Sequence, residues 1–339
     1  METVKIGVVG CGHWGPNHIR VFSQLRESQV VACADMSQRR LDAVREQYED
    51  LQPFDDYRKM LSDTELDAVV VATPTQTHYR IVKDVLTVGK HVLCEKPLCM
   101  TASEAEELIA LADSKSLILM TGHVFLFNPG IVKLRELLTF RDAGRLYYMR
   151  ALRTNLGPIR EDVNSVYDLA SHDVAIFNFL LGEIPEAVSA SGGAFLQAGI
   201  EDVAFMTLRY PNGILGSIQV SWLDPKKQRE IVVVGDRKMI VWDELASPGP
   251  ILLYDKGVMR EPYYDDYGQF HLLAREGDIA IPRVTPEEPL KVQNRYFLQS
   301  IRDGNIKMSD GRFALGVVKV LTAISQSMRE GGASVPVAR

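Results

Sequence analysis

Apolar and polar residues alternate along this chain with two different textures. From Val4 to Met120 short β-branched runs take turns with amphipathic stretches. Val4 to Val9, Val30 to Ala34, Ala68 to Ala72, His91 to Cys94 and Leu117 to Met120 read as strands, and about Gly15 to Leu25, Arg39 to Glu49, Tyr79 to Val88 and the segment headed by Ser103 read as helices. That alternation predicts a parallel sheet covered by helices. Ala68 to Ala72 contains no polar residue, as a central strand buried on both faces requires. Gly89 stands where a helix C-terminus favours glycine, and Ser103 with Glu106 has capping-box spacing.

Beyond Gly122 strand-like runs follow one another with few helices between: Leu146 to Leu152, Ala187 to Ala190, Val203 to Tyr210, Gly213 to Trp222, Glu230 to Val234 and Met239 to Trp242. Pro211-Asn212-Gly213 is a turn signal between two alternating segments, so part of this second sheet is antiparallel. Loops rich in Pro and Gly fall at Ser247 to Pro250 and Pro282 to Pro289, and helices at about Val292 to Asp303 and Gly311 to Glu330 close the chain. The expected fold class is α/β in two domains, 1–122 and 123–339, with the C-terminal helix able to pack back on the first.

Composition narrows the function classes. With 339 residues, 46% hydrophobic and 24% charged, the chain holds ample core material and too much for disorder. Lys and Arg total 38 against 44 Asp and Glu, a net −6, which leaves no basic excess for a nucleic-acid backbone. The longest apolar stretch, Leu117 to Phe127, is broken by Thr121, Gly122 and His123 and falls short of the ~20 residues of a membrane span. METVKIGVVG leads straight into a strand without a basic region and cleavage site, so a cytoplasmic location is expected. Cys11, Cys33, Cys94 and Cys99 form no CxxC pair and read as reduced packing thiols, with no metal site.

Candidate chemistry gathers at the strand ends. GCGHWG (Gly10 to Gly15) follows the first strand and opens a helix, and Asp35 ends the next strand. Gly10 permits a tight turn, Gly12 a close backbone approach to a pyrophosphate, and Gly15 close helix packing, while Asp35 suits ribose hydroxyls. Strand, glycines, helix, strand and acid in register predict dinucleotide binding, with NAD favoured by the carboxylate and NADP left open by Arg39 and Arg40. His13 and Trp14 lie inside this loop. ATPTQTH (Ala72 to His78) and CEKPL (Cys94 to Leu98) end further strands on the same sheet, where open parallel sheets bind ligands. Thr73, Thr75, His78, Glu95 and Lys96 therefore join the cofactor-facing candidates, with His78 equally suited to capping or packing. Lys96, between Glu95 and Pro97, reads as a cation aimed at a substrate hydroxyl.

Together these residues resemble the Gfo/Idh/MocA family of NAD(P)-dependent sugar oxidoreductases, Glu95-Lys96-Pro97 being the most diagnostic piece. The resemblance spans essentially the whole chain. It implies an N-terminal Rossmann domain followed by an α/β domain with a large, mostly antiparallel open sheet, and it assigns Lys96 contact with both nicotinamide and the reacting hydroxyl. The family's second signature, an acid and a histidine four residues apart, matches Asp168 and His172 in DLASHD. Residues so spaced share a helical face. Asp173 is expected to support them. His172 is then the general base, Lys96 the stabiliser of the developing alkoxide, and Asp168 the group that orients the imidazole or grips a hydroxyl.

The polar segment Arg153 to Asp173 offers Arg153, Asn155, Arg160 and Asn164 as substrate contacts, with the two arginines suited to a diphosphate. Its form resembles nucleotide-sugar members of the family. The expected reaction is NAD-dependent oxidation of a ring hydroxyl, at C3 of a UDP-N-acetylglucosamine-type sugar. Alternatives are an NADPH-dependent ketoreductase, an inositol or free-sugar dehydrogenase, and a catalytically silent NAD-binding regulator. A homodimer or homotetramer is implied by the resemblance, the partner otherwise being the small-molecule substrate, with no nucleic acid and no membrane.

Overall fold

The computed structural model describes residues 3–262 and 270–338. It divides into two compact units, Met1–Phe127 with Glu287–Thr322, and Asn128–Pro286 with Ala323–Arg339. The first unit is therefore not the single segment 1–122 that the change in texture suggested.

The first unit alternates β1 (Val4–Val9), α1 (Gly15–Ser23), β2 (Ser28–Ala34), α2 (Gln38–Gln47), β3 (Gln52–Phe54), α3 (Tyr57–Asp63), β4 (Ala68–Val71), α4 (Thr75–Thr87), β5 (His91–Glu95), α5 (Ala102–Ser114) and β6 (Leu119–Gly122). The strands pair in parallel in the order β3-β2-β1-β4-β5-β6. This is a Rossmann sheet whose order reverses between β1 and β4. All four residues of β4 are buried, as its unbroken apolar run requires. The loops after β1, β4 and β5 leave from one edge, the edge where ligands of such sheets bind.

Local chemistry fixes the helix starts. Thr101 caps α5, accepting from Glu104 N while the Glu104 carboxylate accepts from Thr101 N at 3.1 Å. The capping box thus lies two residues before the Ser103/Glu106 pair, because two overlapping patterns compete and the extended backbone at Thr101 (φ −131°) completes the earlier one.

The second unit opens with α6 (Pro129–Thr139) and β7 (Leu146–Leu156). A π-helical turn, Val166–Ala170, runs directly into α7 (Ser171–Leu181), which ends at Gly182 in the left-handed conformation (φ 72°). Then come β8 (Ala187–Gly193), β9 (Val203–Arg209), β10 (Leu215–Ser221), β11 (Leu223–Gly235), β12 (Met239–Asp243), β13 (Ile251–Pro262) and β14 (Phe270–Ala280). The chain next returns to the first unit as α8 (Pro289–Asp303), where Phe297 meets Phe22 of α1 with ring centroids 6.5 Å apart. α9 (Gly311–Arg329) begins in the first unit and finishes in the second, followed by β15 (Val335–Pro336).

The described strands of the second unit form one open sheet, β14-β13-β12-β11-β7-β10-β9-β8-β15, antiparallel except between β7 and β10. Six elements lacked a clear sequence signal: the short β3, α3 and β15, and α6, β13 and β14. α6 follows an apolar run that reads equally as strand, whereas β13 and β14 pair chiefly with each other at the sheet edge, leaving Val258 and Ile279 exposed, so no alternating core face marks them.

Candidate active site

Two of the three fingerprint glycines are required by packing. A Cβ on Gly10, whose φ is +93°, would lie 2.6 Å from the Ala72 carbonyl oxygen, and one on Gly15 would lie 1.9 Å from the Gly10 carbonyl oxygen. Gly12 has open space on its Cβ side, its nearest neighbour there being Arg40 Nη1 at 3.9 Å, which leaves the backbone approachable. Asp35 ties down the loop: its carboxylate accepts from Cys11 N at 2.7 Å and Ser37 N at 2.8 Å, with Arg40 Nη1 3.5 Å away. A carboxylate offers about four acceptor directions, so Asp35 retains capacity for a ribose hydroxyl. Gly12, Arg39, Arg40 and Tyr48 line a pocket of about 320 Å³ beside this loop. The exposed His13 and the half-buried Trp14 stand edge to face at 5.5 Å where α1 begins. This open cradle at a helix N-terminus, walled by an acid on the ribose side, fits an adenine dinucleotide.

The second turn differs from expectation at His78. Its Nδ1 lies 2.8 Å from the Pro97 carbonyl oxygen, its Nε2 2.8 Å from that of Thr73, and the residue is 1% exposed. His78 therefore staples the Thr73 turn to the Pro97 turn instead of meeting a cofactor. It sits inside α4, which starts four residues earlier than expected because Pro74 sets up Thr75 as the first helical residue. The Thr73 hydroxyl accepts from Thr77 Oγ1 at 2.8 Å, and Thr75 is buried.

At the end of β5, Glu95 is buried and turned inward. One carboxylate oxygen pairs with His18 Nε2 at 3.0 Å and the other accepts from Lys96 N at 3.3 Å, so Glu95 braces the strand end. Lys96 is 8% exposed. His18 belongs to no motif, although a polar residue within the buried stripe Gly15, His18, Ile19, Phe22 of α1 is a readable signal. His123, also buried, follows β6 and was visible only as a polar break in an apolar run.

In the second unit Asp168 lies in the π turn and His172 in the first turn of α7, half-buried. The Asp168 carboxylate is held by Trp222 Nε1 at 3.2 Å and Arg160 Nη1 at 3.1 Å. Arg160 also grips Asp162 through Nε and Nη2 at 2.8 and 2.6 Å, so its guanidinium, expected on a diphosphate, braces two carboxylates. Arg153 departs further from expectation: it is 3% exposed and forms a bidentate pair with Asp173 at 2.9 and 2.8 Å. That buried pair fixes β7 to α7. Asn164 has both ends of its amide engaged, by Glu201 at 2.7 Å and Tyr167 N at 3.1 Å, and Asn155 Nδ2 donates to the Gly157 carbonyl. Arg153, Asn155, Arg160, Asn164 and Asp168 thus each have a local structural partner.

A Rossmann unit with a lysine at its ligand edge, followed by a sheet unit bearing an oriented acid and an accessible histidine, is the equipment of a nicotinamide-dependent dehydrogenase. Residues 4–123 match the model described as "Oxidoreductase family, NAD-binding Rossmann fold", and residues 131–241 match "GFO/IDH/MocA C-terminal domain". The chain belongs to the Gfo/Idh/MocA family and is an NAD-dependent oxidoreductase acting on CH–OH groups. It is 26% identical to the myo-inositol 2-dehydrogenase of Thermotoga maritima, the alignment covering 92% of this chain and 93% of that one. It is 30% identical to the UDP-N-acetylglucosamine 3-dehydrogenase of Acidithiobacillus ferrooxidans, over 65% of this chain and 68% of that one. Its fold is that of the WlbA dehydrogenase from Bordetella pertussis, solved with NADH and UDP-GlcNAcA, at a TM-score of 0.82 and 23% identity, with all of both chains covered. Among the described residues no helix is long and apolar enough to cross a membrane.

Proposed function

We propose that this protein oxidises a ring hydroxyl, the 3-hydroxyl, of a UDP-N-acetylglucosamine-type nucleotide sugar to a ketone. The observation that carries this reading is the similarity to the Acidithiobacillus enzyme, whose identity with this chain is the higher of the two curated relatives compared. A feature of the second unit supports it. The β8–β9 connection presents Phe195 and Leu196, 72% and 51% exposed. Their backbone N–H groups are fixed on Asp202 at 2.6 and 2.9 Å, and Gln197 bonds the Arg160 carbonyl at 3.3 Å. A rigid apolar platform beside the segment that carries Asp168 suits stacking of a flat base better than it suits a free polyol.

NAD, which the Gly10–Gly15 loop and Asp35 would hold, would supply the hydride acceptor for the carbinol carbon. His172 takes the hydroxyl proton, its ring accessible at the start of α7. Lys96, a buried cation, stabilises the negative charge that develops on the oxygen. Asp168, locked between Trp222 and Arg160, receives a hydrogen bond from the imidazole or from a neighbouring hydroxyl. Glu95 and His18 hold the backbone from which Lys96 projects.

A second reading, oxidation of a free cyclic polyol, is favoured by the nearly full-length similarity to the Thermotoga inositol dehydrogenase. A panel of UDP-sugars, free sugars and inositols, followed through nicotinamide absorbance, separates the two. The nucleotide-sugar reading predicts turnover with UDP-N-acetylglucosamine or its uronate. Activity confined to free polyols overturns it.

A further inference from the structure

We infer that His123 is a positioning residue for Lys96: its imidazole, buried beside the lysine where two adjacent strands end, supplies the acceptor that holds the ammonium in place. The proposal rests on the reading of Lys96 as the group that meets the reacting hydroxyl.

Strand pairing sets the juxtaposition. Glu95 of β5 is registered with Gly122 of β6 as the last pair of that ladder, so the next residue on each strand, Lys96 and His123, leaves the sheet side by side. His123 is 2% exposed, and neither ring nitrogen has a hydrogen-bond partner among the described residues. Its backbone is tied to Thr121 O at 2.8 Å, and its ring meets Phe313 edge to face at 5.6 Å. An aromatic hydrocarbon would satisfy that packing. A buried imidazole instead carries the desolvation cost of two polar atoms, which such sites rarely bear without use.

The electrostatics agree with the geometry. Burial, and then the Lys96 charge, push the His123 pKa down to about 3, so the ring is neutral and keeps one unprotonated nitrogen. Glu95, the nearest carboxylate in sequence, is shared between His18 Nε2 of α1 and the Lys96 backbone N–H. Around His123, β6 contributes Thr121, and the approach to α9 contributes Ser309, whose hydroxyl bonds Thr121 O at 2.7 Å. Asp310 is engaged with Phe313 N at 2.8 Å. No ring nitrogen of His123 bonds Lys96 directly, so the neutral lone pair next to the buried ammonium acts through one bridging water, favouring the charged form of the lysine and restricting where its Nζ rests.

Lysine labelled with carbon-13 at Cε reports this without any substrate. In the NAD-bound protein the Lys96 resonance, assigned by its loss in Lys96→Arg, is followed against pH. His123→Phe, which keeps the ring packing and removes both nitrogens, is expected to lower the Lys96 midpoint by about one pH unit, the worth of one hydrogen bond to a charged group. His123→Gln, which restores a polar atom near the Nε2 position, is expected to recover most of it; His123→Leu replaces the Phe variant should that not fold. A folded Phe or Leu variant with an unmoved midpoint overturns the proposal, as does a Gln variant that shifts as far as Phe. The role of Lys96 itself is tested separately, since full turnover in Lys96→Ala would remove that reading whatever the titration shows.

Discussion

At the scale of single residues, the sequence marks the proposed reacting groups better than the residues packed around them. Lys96 and His172 announce themselves by unusual placement, a lysine between an acid and a proline and a histidine four residues after an acid. Lys96→Ala and His172→Ala are each expected to abolish turnover while NAD affinity, followed by protein fluorescence quenching, changes little. Asp35→Ala is expected to weaken NAD more than NADP, because a carboxylate at this strand end suits a ribose hydroxyl and repels a phosphate; an unchanged preference removes that role. Arg153 differs from its expected surroundings, because a guanidinium in a polar segment looks alike in sequence whether it awaits a phosphate or is buried against a carboxylate twenty residues away. Arg153 and Asp173 are a buried ion pair. Asp173→Ala leaves that guanidinium without its partner and is expected to destabilise the fold by about 3–5 kcal/mol in urea denaturation. Arg160→Gln or Trp222→Phe, each loosening Asp168, should lower kcat roughly tenfold, about one hydrogen bond's worth in the transition state.

At the scale of elements, strands buried on both faces and helices with a clean stripe were legible, and edge elements were not. β1, β2, β4, β5 and α9 follow from apolar runs and periodicity that the core enforces. β13 and β14 lie at the rim, where no core face writes a pattern, and α6 could not be told from a strand by its apolar residues alone. The turn before α7 is π-helical, which no periodicity announces; it is where Asp168 is presented to Trp222 and Arg160. The competition between two capping patterns at α5 has a simple check. Thr101→Ala should cost about 1 kcal/mol in thermal or urea unfolding and Ser103→Ala close to nothing; the reverse order would return the cap to Ser103.

For the whole molecule, the net charge of −6 gave no reason to expect a nucleic-acid partner and said nothing of where single charges sit. The structure places a compact group of buried polar residues, His18, Glu95, Lys96, Thr121 and His123, within the first unit at the ligand edge of its sheet. That arrangement links stability to pH. His123 is neutral when folded, with its pKa depressed to about 3, and protonates near its ordinary value once unfolded. The resulting contribution is therefore fully present above about pH 6.5 and is lost as pH falls toward 3. His123→Gln should flatten the acid limb of the melting-temperature profile, and an identical limb would contradict this linkage. The chemistry itself is tested most directly by offering the NAD-bound protein UDP-N-acetylglucosamine deuterated at C3. Deuterium appearing on the reduced nicotinamide, with a C3 ketone in the product, is the predicted result; unlabelled reduced cofactor, or none from this sugar while a free inositol reduces NAD readily, would contradict it.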